Sequence, residues 1–190
     1  MSSVEIAGFV FGVAGVWLTL RENVWCFPVG LINVILSLFL FYQQKLYADT
    51  LQQFVYIILL SYGWFMWLKG TDDKMKNLPV SLCSNQTLLM CGFAFVISTT
   101  FLGVFLSKLT DAIFPWLDSA ATSISFVAQW MIAKKKIENW LLWILVNMMY
   151  IGIYSSRHLW LYSLLFTVYL ALAIIGYLRW KSELKKSITV

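Results

Sequence analysis

Residues 27–67 read FPVGLINVILSLFLFYQQKLYADTLQQFVYIILLSYGWFMW. Between positions 25 and 68 only Lys45 and Asp49 carry a charged side chain. A membrane-spanning helix needs about 20 apolar residues. This stretch is long enough for two, folded back on each other at the polar QQKLYAD, residues 43–49. It predicts spanning helices over 25–43 and 46–68 joined by a tight hairpin, and therefore a chain whose solvent is lipid.

The rest of the chain agrees. It has 190 residues, 61% hydrophobic and 12% charged, whereas a soluble domain carries roughly 25% charged residues. Further apolar runs predict helices over 4–20, 86–106, 113–133, 138–156 and 159–180, giving seven in all. Segment 69–85, KGTDDKMKNLPVSLCSN, is the one sizeable polar stretch and reads as a linker. The start, MSSVEIAG, has neither a basic residue nor a small-residue cleavage site after it, so the first apolar run is expected to stay as a helix. With seven crossings, Lys45, Lys108 and Arg157 share one side. Arg21, Lys69, Lys74, Lys76, Lys134, Lys135, Lys136, Arg179, Lys181, Lys185 and Lys186 share the other. Basic loops stay in the cytoplasm, which predicts the N-terminus outside and the C-terminus inside. Topology thus accounts for the net charge of +5 without nucleic acid. Cys26, Cys83 and Cys91 lack metal or redox spacing, and His158 sits in a short connection beside Arg157. No catalytic residue, metal site or cofactor is expected. The absence of a glycine-rich phosphate loop argues against ATP-driven transport by this chain alone.

Landmarks recur in order along the chain. Trp17 and Trp130, Gly63 and Gly176, and Trp67 and Trp180 are each 113 positions apart. RENVW at 21–25 resembles IENW at 137–140. Helices 1–3 and 5–7 therefore read as two copies of a three-helix unit. An odd-numbered unit would come out inverted, and helix 4 restores its direction. The expected fold is all-α and polytopic, a 3+1+3 arrangement of parallel repeats. The units are 1–68, a linker and connecting helix at 69–106, and 107–190 with a basic tail. Transporters built on parallel repeats bind substrate between them near midplane.

Acidic residues lie near helix ends or in connections (Glu5, Glu22, Asp49, Asp72, Asp73, Asp111, Asp118, Glu138 and Glu183), so a pocket without carboxylates is expected. That pattern speaks against a proton relay or an intramembrane enzyme, since both need buried titratable groups. It favours passive transport and leaves sodium coupling through carbonyls and hydroxyls open. Neutral polar residues do fall inside the spans: Asn33, Gln52, Gln53, Thr122, Ser123, Ser125, Gln129 and Asn147. Each fits either a bond between helices, about 0.6 kcal/mol on average, or a cavity wall. Trp140, Trp143 and Asn147 share one face of helix 6; Trp140 suits the interfacial belt and Trp143, deeper, a pocket. Trp64 and Trp67 fit belt and pocket equally, and a cationic aromatic ligand would favour the pocket.

The stretch from FPVG to GWFMW, together with SFVAQWMIAKKKIENWLLWILVNMMYIGIY at 125–154 and the final GYLRW, resembles the PnuC family of bacterial vitamin transporters. The resemblance spans most of the chain outside helix 4 and the linker. It implies a seven-helix, SWEET-like trimer in the bacterial cytoplasmic (inner) membrane. It implies facilitated diffusion of nicotinamide riboside, with phosphorylation by a cytoplasmic kinase trapping the vitamin. Thiamine and riboflavin are the alternatives within the family. It places substrate contacts on Trp64, Trp67, Trp140, Trp143 and Asn147. Asn33, Gln52 and Gln129 join them from polarity and depth.

Overall fold

The computed structural model describes residues 3–43, 47–70, 78–110, 114–156, 158 and 160–189, the side chains of 3–5, 47, 48, 161 and 187–189 excepted. The expectations made for Lys45, Asp72, Asp73, Lys74, Lys76, Asp111, Arg157 and the Glu5 side chain lie outside the described residues.

Seven helices follow in order: α1 Ser3–Leu20, α2 Cys26–Gln43, α3 Tyr47–Lys69, α4 Asn85–Leu109, α5 Pro115–Ala133, α6 Asn139–Ser156 and α7 Trp160–Thr189. Among the described residues there is no strand beyond an isolated bridge between Ser81 and Lys136. Local chemistry sets the boundaries. Gly70, at φ 66°, ends α3 and returns its N–H to the Met66 carbonyl, the left-handed cap that glycine adopts without strain. Ser84 caps α4 by accepting from the Thr87 N–H at 3.1 Å. Pro115 opens α5, where its missing N–H costs nothing. α7 runs nine residues past the expected end at 180, because Lys181, Lys185 and Lys186 are good helix formers.

Among the described residues four helices are long and apolar enough to cross a membrane: 26–43, 49–69, 85–109 and 162–186; 6–20 is apolar but shorter. α5 and α6 fall below that criterion although seven spans were expected. Thr122, Ser123, Ser125 and Gln129 dilute α5, and α5 packs against α3, α4 and α6, so much of its surface meets protein rather than lipid. α4 is the opposite case. Among the described residues it packs on α5 alone, and Leu89, Met90, Phe93 and Val96 project outward. Such a surface suits lipid and would be a liability in water.

The other six helices close into a ring. α1 packs on α2, α2 on α3, α3 on α5, α5 on α6, α6 on α7, and α7 returns to α1. Arg21, Lys69, Lys134, Lys135, Lys136, Arg179, Lys181, Lys185 and Lys186 gather at one end of the ring, and Lys108 lies at the other. The core is densest at the basic end. Phe27 meets Trp67 edge to face at 5.0 Å, Trp140 meets Trp180 likewise at 5.4 Å, and Trp67 and Trp180 lie 6.4 Å apart. Phe27 packs over Gly63, where a Cβ would strike its ring. Trp140 packs over Gly176 in the same way. Phe27 and Trp140 are 113 positions apart, as are the two glycines. The likeness of RENVW to IENW pointed instead to Trp25 as the partner of Trp140. The structure corrects this: Trp25 is exposed, and Phe27 holds the equivalent place.

Candidate functional site: a cavity inside the helix ring

A partly open cavity of about 1340 Å³ runs through the ring and reaches α4 outside it, so that every helix contributes. Its basic end is stopped by Phe27 and Trp140, backed by Trp67 and Trp180. The Trp67 indole donates to the Ile132 carbonyl at 3.1 Å, so its polar edge is already committed to α5.

Polar groups converge at mid-depth. Asn33 from α2, Gln52 and Tyr56 from α3, Ser125 and Gln129 from α5, Trp143 and Asn147 from α6 and Tyr169 from α7 all line the cavity. Tyr56 hydrogen-bonds the side chains of Gln52 and Ser125, tying α3 to α5. Tyr150 hydrogen-bonds Thr122, tying α6 to α5. Trp143 presents an indole N–H with no partner among the described residues. A buried donor left unpaired costs about 1–3 kcal/mol; the indoles of Trp140 and Trp180 share that state at the cavity's floor. Beyond Trp143, the side chains of Tyr150, Tyr154 and Phe166 form a rack, with Tyr154 and Phe166 stacked at 5.3 Å and 17°.

Six of the eight residues expected to hold a substrate therefore line one cavity: Asn33, Gln52, Gln129, Trp140, Trp143 and Asn147. Trp140 is 1% exposed and works mainly as a stopper. Trp64 and Trp67 do not line it. Trp64 is half-exposed, and Trp67 is spent on the aromatic floor. The reasons differ: Trp67 shares the helix face of Tyr56 but lies about three turns deeper, behind Phe27, while Trp64 is rotated away from that face toward the outside.

The expectation of a pocket without carboxylates is also corrected. Asp49 and Asp118, in the first turns of α3 and α5, line the cavity at the end away from the basic loops. A first-turn carboxylate suits the positive end of a helix dipole, and the hydropathy pattern could not show that these two turn inward. No Lys, Arg or His is among the described lining residues. Tyr56 and Tyr169 were missed, although a signal existed: they stand 113 positions apart, the same spacing as the tryptophan landmarks. Among the described residues no three His, Cys, Asp or Glu side chains cluster to hold a metal.

A ring of lipid-facing helices around a central, polar-lined cavity stopped at one end defines a membrane transporter of small solutes. Residues 2–182 match the family described as "Nicotinamide mononucleotide transporter". The chain belongs to that family. It is 27% identical to the nicotinamide riboside transporter PnuC of Escherichia coli, over 95% of this chain and 85% of that protein. It is 21% identical to the riboflavin/roseoflavin transporter RibM of Streptomyces davaonensis, over 93% and 83%. The crystal structure of the vitamin B3 transporter PnuC superposes with a TM-score of 0.77, at 25% identity, over 96% of this chain and 82% of that one.

Proposed function

We propose that the chain carries nicotinamide riboside across the bacterial cytoplasmic membrane by facilitated diffusion, and that a cytoplasmic kinase traps the product by phosphorylating it. The observation that carries this reading is the charge and shape of the cavity. Asp49 and Asp118 stand at its mouth, aromatic faces and amides line its middle, and no cationic side chain is present among the described lining residues. A pyridinium ring is a flat cation. An indole or phenol face attracts such a cation by about 0.5–2 kcal/mol, and the carboxylates add attraction at entry. Ribose hydroxyls match Asn147, Gln129 and the Trp143 N–H. A mononucleotide would bring a phosphate dianion toward two carboxylates, with no Arg or Lys among the described lining residues to receive it. The lining therefore favours the riboside over the mononucleotide.

In this reading two parallel three-helix units, 1–68 and 107–190, flank the cavity, with 69–106 as linker and connecting helix. The basic end faces the cytoplasm and the N-terminus lies outside. Trimeric assembly through the lipid-facing surface belongs to the same proposal. The test is uptake by the purified chain in liposomes, without ATP or an ion gradient, of labelled nicotinamide riboside, nicotinamide mononucleotide, thiamine and riboflavin. Saturable uptake of the riboside alone is the expected result. Uptake confined to thiamine or riboflavin would overturn the substrate, and dependence on a sodium or proton gradient would overturn uniport. RibM is a relative, which makes riboflavin the second substrate to exclude.

A further inference from the structure

The turns that join α1 to α2 and α5 to α6 are built alike. Glu22 and Lys135 both adopt left-handed backbone, at φ 56° and 47°. Glu22 N–H bonds the Thr19 carbonyl and Asn23 N–H the Leu18 carbonyl; Lys135 N–H bonds the Ile132 carbonyl and Lys136 N–H the Met131 carbonyl. Every member of the second set lies 113 positions after its match in the first. A left-handed non-glycine residue is strained and persists only where its surroundings hold it. Here the two strained residues hold each other. Lys135 Nζ lies 2.8 Å from Glu22 Oε2, and the side chains are 5% and 25% exposed. The same ammonium sits 4.5 Å from the Trp67 ring centroid, above the aromatic floor.

The two turns differ in one respect. Linker residues 80–83 strap the second turn. Ser81 donates its N–H to the Lys135 carbonyl at 3.0 Å and accepts from Ile137 at 3.1 Å. The Lys136 ammonium reaches the Ser81 hydroxyl and the Leu82 carbonyl, each at 2.9 Å. The Cys83 N–H donates to Glu138 Oε1 at 2.8 Å, and Val80 is buried. Among the described residues no comparable segment grips the turn at Glu22. The hydrogen bonds of that turn are local, apart from the one to Lys135.

We propose that Glu22 and Lys135 are a latch that keeps the basic end of the cavity shut, and that this end opens when the free α1–α2 turn swings away from the strapped α5–α6 turn. The pair crosses between the two halves directly behind Phe27, Trp67 and Trp140. Opening must separate them, and separation returns both charges to water, so the latch is reversible. A purely apolar plug would have no such release. Glu22 and Lys135 are thus positioning residues and do not touch the substrate. The inference rests on the carrier reading, since a carrier must open both ends in turn.

Cys26 supplies a reporter. It lines the cavity at the shut end and is 4% exposed. With Cys83 and Cys91 replaced by Ser, a membrane-impermeant maleimide added from the basic side should label Cys26 slowly. Glu22→Gln should raise that rate roughly tenfold, less than the loss of a fully buried pair because a quarter of the Glu22 side chain is exposed. Lys135→Met, which leaves unpaired only the more exposed Glu22 carboxylate, should do the same in protein whose melting temperature shows it folded. The exchange of the two charges, Glu22→Lys with Lys135→Glu, should restore slow labelling. Unchanged labelling in Glu22→Gln and Lys135→Met would overturn the latch. Labelling needs no vitamin, so faster labelling in vesicles that take up no vitamin would instead count against the carrier reading alone.

Discussion

Trp143 and Trp67 show how one residue type divides between binding and support. Trp143 lines the cavity, so Trp143→Ala should weaken riboside binding roughly tenfold, from stacking worth about 1–2 kcal/mol. Asn147→Leu should cost roughly fivefold, the value of a typical hydrogen bond of about 1 kcal/mol; equilibrium binding to detergent-solubilised protein measures both. Trp67 is 7% exposed and already hydrogen-bonded. Trp67→Ala should chiefly lower the melting temperature, by loss of about 3–5 kcal/mol of packing. A normal melting curve with lost binding would return Trp67 to the ligand. At the linker, burial first and then Glu138 push the Cys83 thiol up to about 12. The thiolate is the reactive form. Cys83 should therefore alkylate slowly at neutral pH, and its rate should keep rising with pH well past 9.

At the scale of elements, glycines set how closely the helices approach. A Cβ on Gly63 would fall within 2.4 Å of the Phe27 ring, and one on Gly176 within 2.6 Å of Trp140. Gly63→Ala and Gly176→Ala should each lower thermal stability by about 1–3 kcal/mol, the usual cost of overpacking, while Gly152→Ala, with open space around it, should not. The repeat spacing in the sequence made the equivalence of these glycines legible. It could not show what packs on them, because Phe27 and Trp140 share a position and not a residue type. The helices themselves were legible to within a few residues, since lipid demands long apolar runs with all backbone groups satisfied internally. α5 was legible as a helix; that its polar face turns toward other helices was not.

For the whole molecule, charge is distributed by end: basic loops at the shut end, two carboxylates at the other. Asp118→Asn combined with Asp49→Asn should lower the uptake ratio of riboside to mononucleotide, and the drop should be largest at low ionic strength, where exposed charges are least screened. A ratio unchanged by both substitutions would remove the carboxylates from substrate selection. The sequence alone determined that the chain lives in lipid, that it makes seven helices, which end collects the basic loops, and that its landmarks recur at a fixed spacing. These follow from composition and period, which act along the chain. Only the tertiary structure decided which polar residues share a cavity, that Trp67 belongs to its floor, that Asp49 and Asp118 stand at its mouth, and that Glu22 meets Lys135. Those facts depend on the rotation of each helix about its own axis and on the depth at which its neighbours close over it. That rotation is set by packing against neighbours far away in sequence, such as Phe27 on Gly63 and Trp140 on Gly176.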